Sequence, residues 1–224
     1  MNGWRQQLVG VAAVAAWLAL VALAALAVRA RWPEQREWSR KLVHIGSGPV
    51  VLIAWALAID RLLAVVAAAA VTVLAGLNHR LRVLPAIEDV GRASYGTVAY
   101  GAAITTLLLL FWPRRPDAAA AGVLVMALGD GAAGLVGPAV TSPSWLVLGQ
   151  RKSVAGTAAM AVAALAALLL VAGISGTQGQ PVPGPAGLLL ISAVAVGLEQ
   201  LAVLGIDNYC VPVAVGLLWS LLRR

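Results

Sequence analysis

Leu128–Thr157, LGDGAAGLVGPAVTSPSWLVLGQRKSVAGT, decides how the chain is read. It sets one acid, Asp130, inside an apolar segment and brings a basic pair, Arg151 and Lys152, to the mouth of the next one. A carboxylate at the centre of a membrane helix costs at least ~2.5–3.5 kcal/mol on insertion scales, so an acid kept there marks a functional site. Gly131, Gly134 and Gly137 follow at every third position and leave a helix surface almost bare of side chains beside that carboxylate.

Working outward, 61% of the 224 residues are hydrophobic and 11% are charged, with a mean hydropathy of +0.90. That is more apolar surface than one soluble core can hide, and the expected fold class is an all-α integral membrane protein forming one transmembrane domain over residues 1–224. Apolar runs lie at Leu8–Val28, Leu42–Ile59, Leu62–Leu77, Thr97–Trp112, Ala118–Val136, Val154–Ile174 and Ala186–Ile206. Tyr209–Leu222 is a shorter eighth, so the expectation is a polytopic bundle of seven or eight transmembrane helices. Pro138 to Ser153 is read as a loop, and Gly173–Gly187 as a flexible connector outside the membrane.

The net charge of +7 raises the possibility of nucleic-acid binding. Its basic residues sit in short loops between apolar runs, where positive-inside sorting accounts for them, and nucleic acid is excluded as a partner. If loops alternate sides, Arg29, Arg31, Arg36, Arg40, Lys41, Arg80, Arg82, Arg92, Arg151 and Lys152 share one face, expected to be cytoplasmic. A single cysteine, Cys210, excludes an internal disulfide.

The polar residues converge on that face. Asp130 lies about 18 Å into a helix entering from the opposite side, and Glu199 about 20 Å into another. Arg40, Lys41, His44, Arg151, Lys152 and Ser153 stand at the helix mouths. Acids on a floor and bases on a rim suit a metal-bound polyphosphate: carboxylates hold Mg2+ and bases hold phosphate oxygens. Asp130 and Glu199 are the expected metal ligands. Ser153 is placed to cap the helix at Val154–Ile174, whose free N–H groups and dipole would favour an anion, with Lys152 adding charge and Gly156 leaving room. Gly129 and Gly131 flank the acid as further candidates for phosphate contact. His44 is a candidate to bond a phosphate or take a proton. Asp207, Asn208 and Ser94 are possible additions, the first two equally readable as an ordinary tight connection.

RKLVHIGSG at 40–48, SYGT at 94–97, GDGAAGLVG at 129–137, GQRKSVAGT at 149–157 and the pair of Glu199 with Asp207-Asn208 together resemble the polyprenol kinase family of membrane proteins. That family includes dolichol kinase and the phytol kinases of photosynthetic organisms. The resemblance spans residues 40–208 and implies transfer of the terminal phosphate of CTP, with Mg2+, to the hydroxyl of a long-chain isoprenoid alcohol such as phytol, geranylgeraniol or a polyprenol. By the same resemblance Asp130 is the metal or catalytic acid, Lys152 and Ser153 contact phosphate, and His44 with Lys41 belongs to the same site. Two positions depart from the family pattern: Ala155 stands where an acid is usual, and Pro138 where a basic residue is common. Competing readings are a CDP-diacylglycerol synthase-like cytidylyltransferase, whose signature also joins an acid-glycine stretch to a Lys-Ser turn, and a small transporter with ion-binding acids.

Overall fold

A computed structural model describes residues 3–81, 95–201 and 204–224. In chain order they form α1 (Gly3–Arg31), α2 (Arg36–Ser47), α3 (Val50–Ala56), α4 (Arg61–Leu81), α5 (Gly96–Phe111), α6 (Pro116–Ala139), β1 (Ser144–Val147), β2 (Gln150–Ser153), α7 (Val154–Thr177), α8 (Pro185–Gln200) and α9 (Asp207–Leu222). The fold is all-α apart from one short hairpin.

Among the described residues four helices, α1, α4, α6 and α7, are long and apolar enough to cross a membrane. Helices α5, α8 and α9 are shorter, at 16 residues each, which is about 24 Å at 1.5 Å per residue.

Two expectations need correcting. The apolar run Leu42–Ile59 is not one unbroken helix: α2 stops at Ser47 and α3 starts at Val50. Pro49 lacks the N–H that a continuous helix requires and its ring collides with the preceding turn. Gly48 sits at the break because α6 passes so close that a Cβ would lie 2.7 Å from the Cβ of Ala127. The interval Pro138 to Ser153 is also more ordered than a loop. Helix α6 runs on through Pro138 to Ala139, and β1 and β2 pair antiparallel, Ser144 with Ser153 and Trp145 with Lys152.

Helix α6 is the central post. Ala118, Ala119, Ala120, Ala121, Val125, Met126 and Ala127 are all fully buried, and α7, α9, α2 and α5 pack around them. Its first turn is anchored at the far end from Asp130. Arg115 donates to both carboxylate oxygens of Asp117, at 3.0 and 2.9 Å, and Trp219 Nε1 donates to Oδ2 at 2.7 Å. Close packing against α9 depends on Gly122, where a Cβ would collide with the carbonyl oxygen of Pro212. Gly122→Ala should therefore cost about 1–3 kcal/mol as an overpacked contact. Thermal unfolding in detergent checks it, with a lowered midpoint expected.

Candidate functional site

Asp130 is held by a turn of α2. Lys41 Nζ donates to Asp130 Oδ2 at 2.6 Å and to the Asp130 carbonyl at 3.0 Å. His44, one turn along the same helix, brings Nε2 to 3.3 Å from the same Oδ2 and 3.3 Å from the carbonyl of Met126. Its ring lies against Tyr100, with centroids 4.4 Å apart. Lys41 is 4% exposed, so this charge is buried and must stay paired. Space for it is made by Gly134, where a Cβ would strike the end of the Lys41 side chain. Gly134→Ala should displace the ammonium and lower turnover about tenfold or more, ~1.4 kcal/mol of barrier, with the helices intact. Turnover measured beside circular dichroism tests this, and an unchanged rate would free Gly134 of any such role.

The second pair comes from the hairpin. Lys152 on β2 forms an ion pair with Glu199 Oε1 at the end of α8 and donates to the Glu199 carbonyl at 2.9 Å. The other carboxylate oxygen, Oε2, accepts from Gln200 Nε2 at 2.9 Å, and that amide also donates to Thr157 at 3.1 Å. Gln200 and Thr157 were not singled out from the sequence. Both look like unremarkable polar residues until α7 and α8 are packed side by side.

Ser153 does cap α7. Its backbone is extended and its hydroxyl accepts from Gly156 N at 3.2 Å. The N–H groups expected to be free there have partners at the first three positions. Val154 N donates to the Pro143 carbonyl at 3.0 Å, Ala155 N to Ser142 Oγ at 3.1 Å, and Gly156 N to Ser153. Gly156 packs against α6, a Cβ there meeting the Ala133 carbonyl and the Gly137 Cα at 3.3 Å.

Both pairs open on one cavity of about 700 Å³. Of the residues expected at the site, Arg40, Lys41, Asp130, Arg151, Lys152, Ser153, Gly156, Glu199, Asp207 and Asn208 line it. His44 stands behind Asp130 and outside the lining. Gly129 and Gly131 also fall outside the lining: a Cβ on the first would meet Met160 and on the second Ile45, so both glycines allow close helix packing. On α6 it is Gly134 and Gly137 that face the cavity. Ser94 lies outside the described residues.

Charge in the cavity is unevenly committed. Arg40 pairs with Glu37 at 2.7 Å. Arg151 donates to Ser144 Oγ at 3.0 Å and has no carboxylate partner among the described residues. Asp207, buried at 7% exposure, has no cation paired with it among the described residues, though Asp130, Lys152 and Glu199 are the charges it feels. Asn208, beside it, donates to the Gly205 carbonyl at 3.3 Å. Among the described residues no three His, Cys, Asp or Glu side chains group closely enough to hold an ion by themselves. A Mg2+ carried on a triphosphate needs only one or two carboxylates, since phosphate and water oxygens complete its shell. The oxygen donors fit that demand, with Asp207 unpaired and Asp130 engaged through Oδ2; Glu199, with both oxygens occupied, is the weaker ligand.

No protein-family model matches the chain, and no solved structure matches it. A curated phytol kinase from Synechocystis sp. is 38% identical over 214 residues, covering 95% of this chain and 91% of that protein. With that likeness covering nearly the whole chain, the chain belongs to the phytol kinase-like branch of the polyprenol kinase family.

Proposed function

We infer that this protein is a lipid-alcohol kinase that transfers the terminal phosphate of a nucleoside triphosphate to the hydroxyl of an isoprenoid alcohol. CTP is the donor implied by the family resemblance, and phytol, the alcohol in the name of the Synechocystis relative, is the first acceptor to test. One observation carries the reading: two lysine–carboxylate pairs, together with an acid and an arginine that have no ion-pair partner among the described residues, meet in a single cavity among apolar helices. Phosphoryl transfer asks little covalent chemistry of a protein and depends on positioning and charge stabilisation, which is what such a cavity offers.

Asp130 and Asp207, with Asn208 beside them, would hold Mg2+, and the ion when bound would neutralise charge on the triphosphate. Arg151 is the cation with freedom to meet phosphate oxygens, and Lys152 adds charge at the α7 start. Glu199, steadied by Lys152 and Gln200, is positioned to orient the alcohol or accept its proton. His44 holds Asp130 in place. On this reading α5, α8, α9 and the α2–α3 pair join the four long helices in a seven- or eight-helix bundle, and the distribution of basic residues favours the cytoplasmic face for the cavity.

Which phosphorus moves is the deciding measurement. Purified protein given phytol and CTP should carry γ label into an alkyl monophosphate and leave α label in CDP. A cytidylyltransferase given a lipid phosphate would put α label into a CDP-lipid and release γ label in pyrophosphate. Appearance of only α label in lipid overturns the kinase assignment.

A further inference from the structure

Hairpin β1–β2 ends on a tip built against its own turn preference. Leu148 and Gly149 have φ of 48° and 79°, the left-handed pair of a type I′ turn, where Asn-Gly is favoured and a leucine is strained. That leucine is 66% exposed, and Leu146 beside it is 75% exposed. Trp145 is partly exposed on the same strand. Between α8 and α9, Leu201, Leu204 and Ile206 are all more than half exposed. Both segments also supply cavity-lining residues, Ser144 and Gln150 to Ser153 from the hairpin and Leu204 and Gly205 from the second, so two walls of the cavity carry exposed apolar side chains.

The connections say what meets these side chains. β1 begins five residues after α6 ends, and β2 runs straight into α7; α6 and α7 are both long enough to span. The hairpin is therefore rooted at a membrane surface, and strands of four residues reach only about 13 Å from it. Standing upright it would push three large apolar side chains into water. Lying flat it sets them into the headgroup and upper acyl layer, where tryptophan is also favoured.

We propose that the hairpin tip, together with Leu201, Leu204 and Ile206, docks into the surface of the bilayer that holds the helices and fixes the cavity mouth at the level of the lipid headgroups. The proposal rests on the membrane reading of α6 and α7. A lipid alcohol then presents its hydroxyl at the mouth without leaving the bilayer.

The test replaces Cys210 with serine and introduces single cysteines carrying an environment-sensitive fluorophore at Leu146, at Leu169 on the outer face of α7, and at Gln180 as an aqueous control. The protein is reconstituted in phosphatidylcholine vesicles containing some phosphatidylglycerol. The Leu146 label should be quenched several-fold more by a shallow lipid-borne quencher than by iodide, with Gln180 the reverse. Lipid quenching at Leu169 but iodide quenching at Leu146 overturns the docking proposal alone; failure of lipid quenching at Leu169 overturns the membrane reading beneath it. Self-quenching at Leu146 that rises with protein density assigns the tip to a second copy and also overturns the proposal. Leu148→Asn improves the turn, so it should fold as well as the parent and yet shift a Leu146 label toward iodide.

Discussion

Asp130→Asn is expected to lower phosphate transfer by about 10³-fold or more, ~4 kcal/mol of barrier, because it removes charge from the position where the triphosphate and its metal would be held. The same substitution strands Lys41. Breaking a buried ion pair from one side costs about 3–5 kcal/mol as a general range. Here the loss should fall toward the lower end, since Lys41 keeps the Asp130 carbonyl as an acceptor. Stability and turnover can be separated by adding Lys41→Met. The double variant should regain most of the lost stability, as coupled neighbours do, and none of the activity. Unfolding midpoints and single-turnover rates on the single and double variants measure both effects, and a wild-type rate in Asp130→Asn would assign the residue to packing.

Asp207→Asn should show the opposite combination. With no cation paired to it among the described residues, this carboxylate is disfavoured as an anion by burial and by repulsion from Asp130 and Glu199, which the attraction of Lys152 offsets only in part. The amide should leave the unfolding midpoint unchanged or raised while cutting turnover by about 10²-fold. A raised Mg2+ requirement should accompany the loss. Glu199→Gln is the comparison, since it orphans Lys152 and should lose stability as well. Unaltered Mg2+ dependence in Asp207→Asn would remove that residue from the metal set.

Much of this arrangement could be read from one sequence, for physical reasons that differ by element. Long apolar runs such as Gly3–Arg31 and Val154–Thr177 announce themselves, because burial in lipid needs no pattern beyond length. Asp130 stood out because a charge there is costly. The α2–α3 break was also written in the chain, at Gly48-Pro49, but an apolar run on both sides masks it. The hairpin was hidden for a different reason: Leu148-Gly149 is not a recognised turn pair, and Gln150–Ser153 has no apolar alternation, since its lysine is turned to an acid 47 residues away. Partner choice is out of reach in one dimension. Nothing near Lys41 announces Asp130, and nothing in Asp207-Asn208 distinguishes a tight turn from a cavity wall. Gly129 and Gly134 look alike in sequence, yet one meets a methionine and the other a lysine because they lie on different faces of α6.

The two lysine–acid pairs also bear on how the chain is made. In each, the base precedes the acid: Lys41 is synthesised before Asp130 and Lys152 before Glu199. When α6 leaves the ribosome carrying a carboxylate, the ammonium that neutralises it has already been delivered, and the same holds when α8 follows the hairpin. Each acid is therefore made after its counter-charge and does not have to be buried alone.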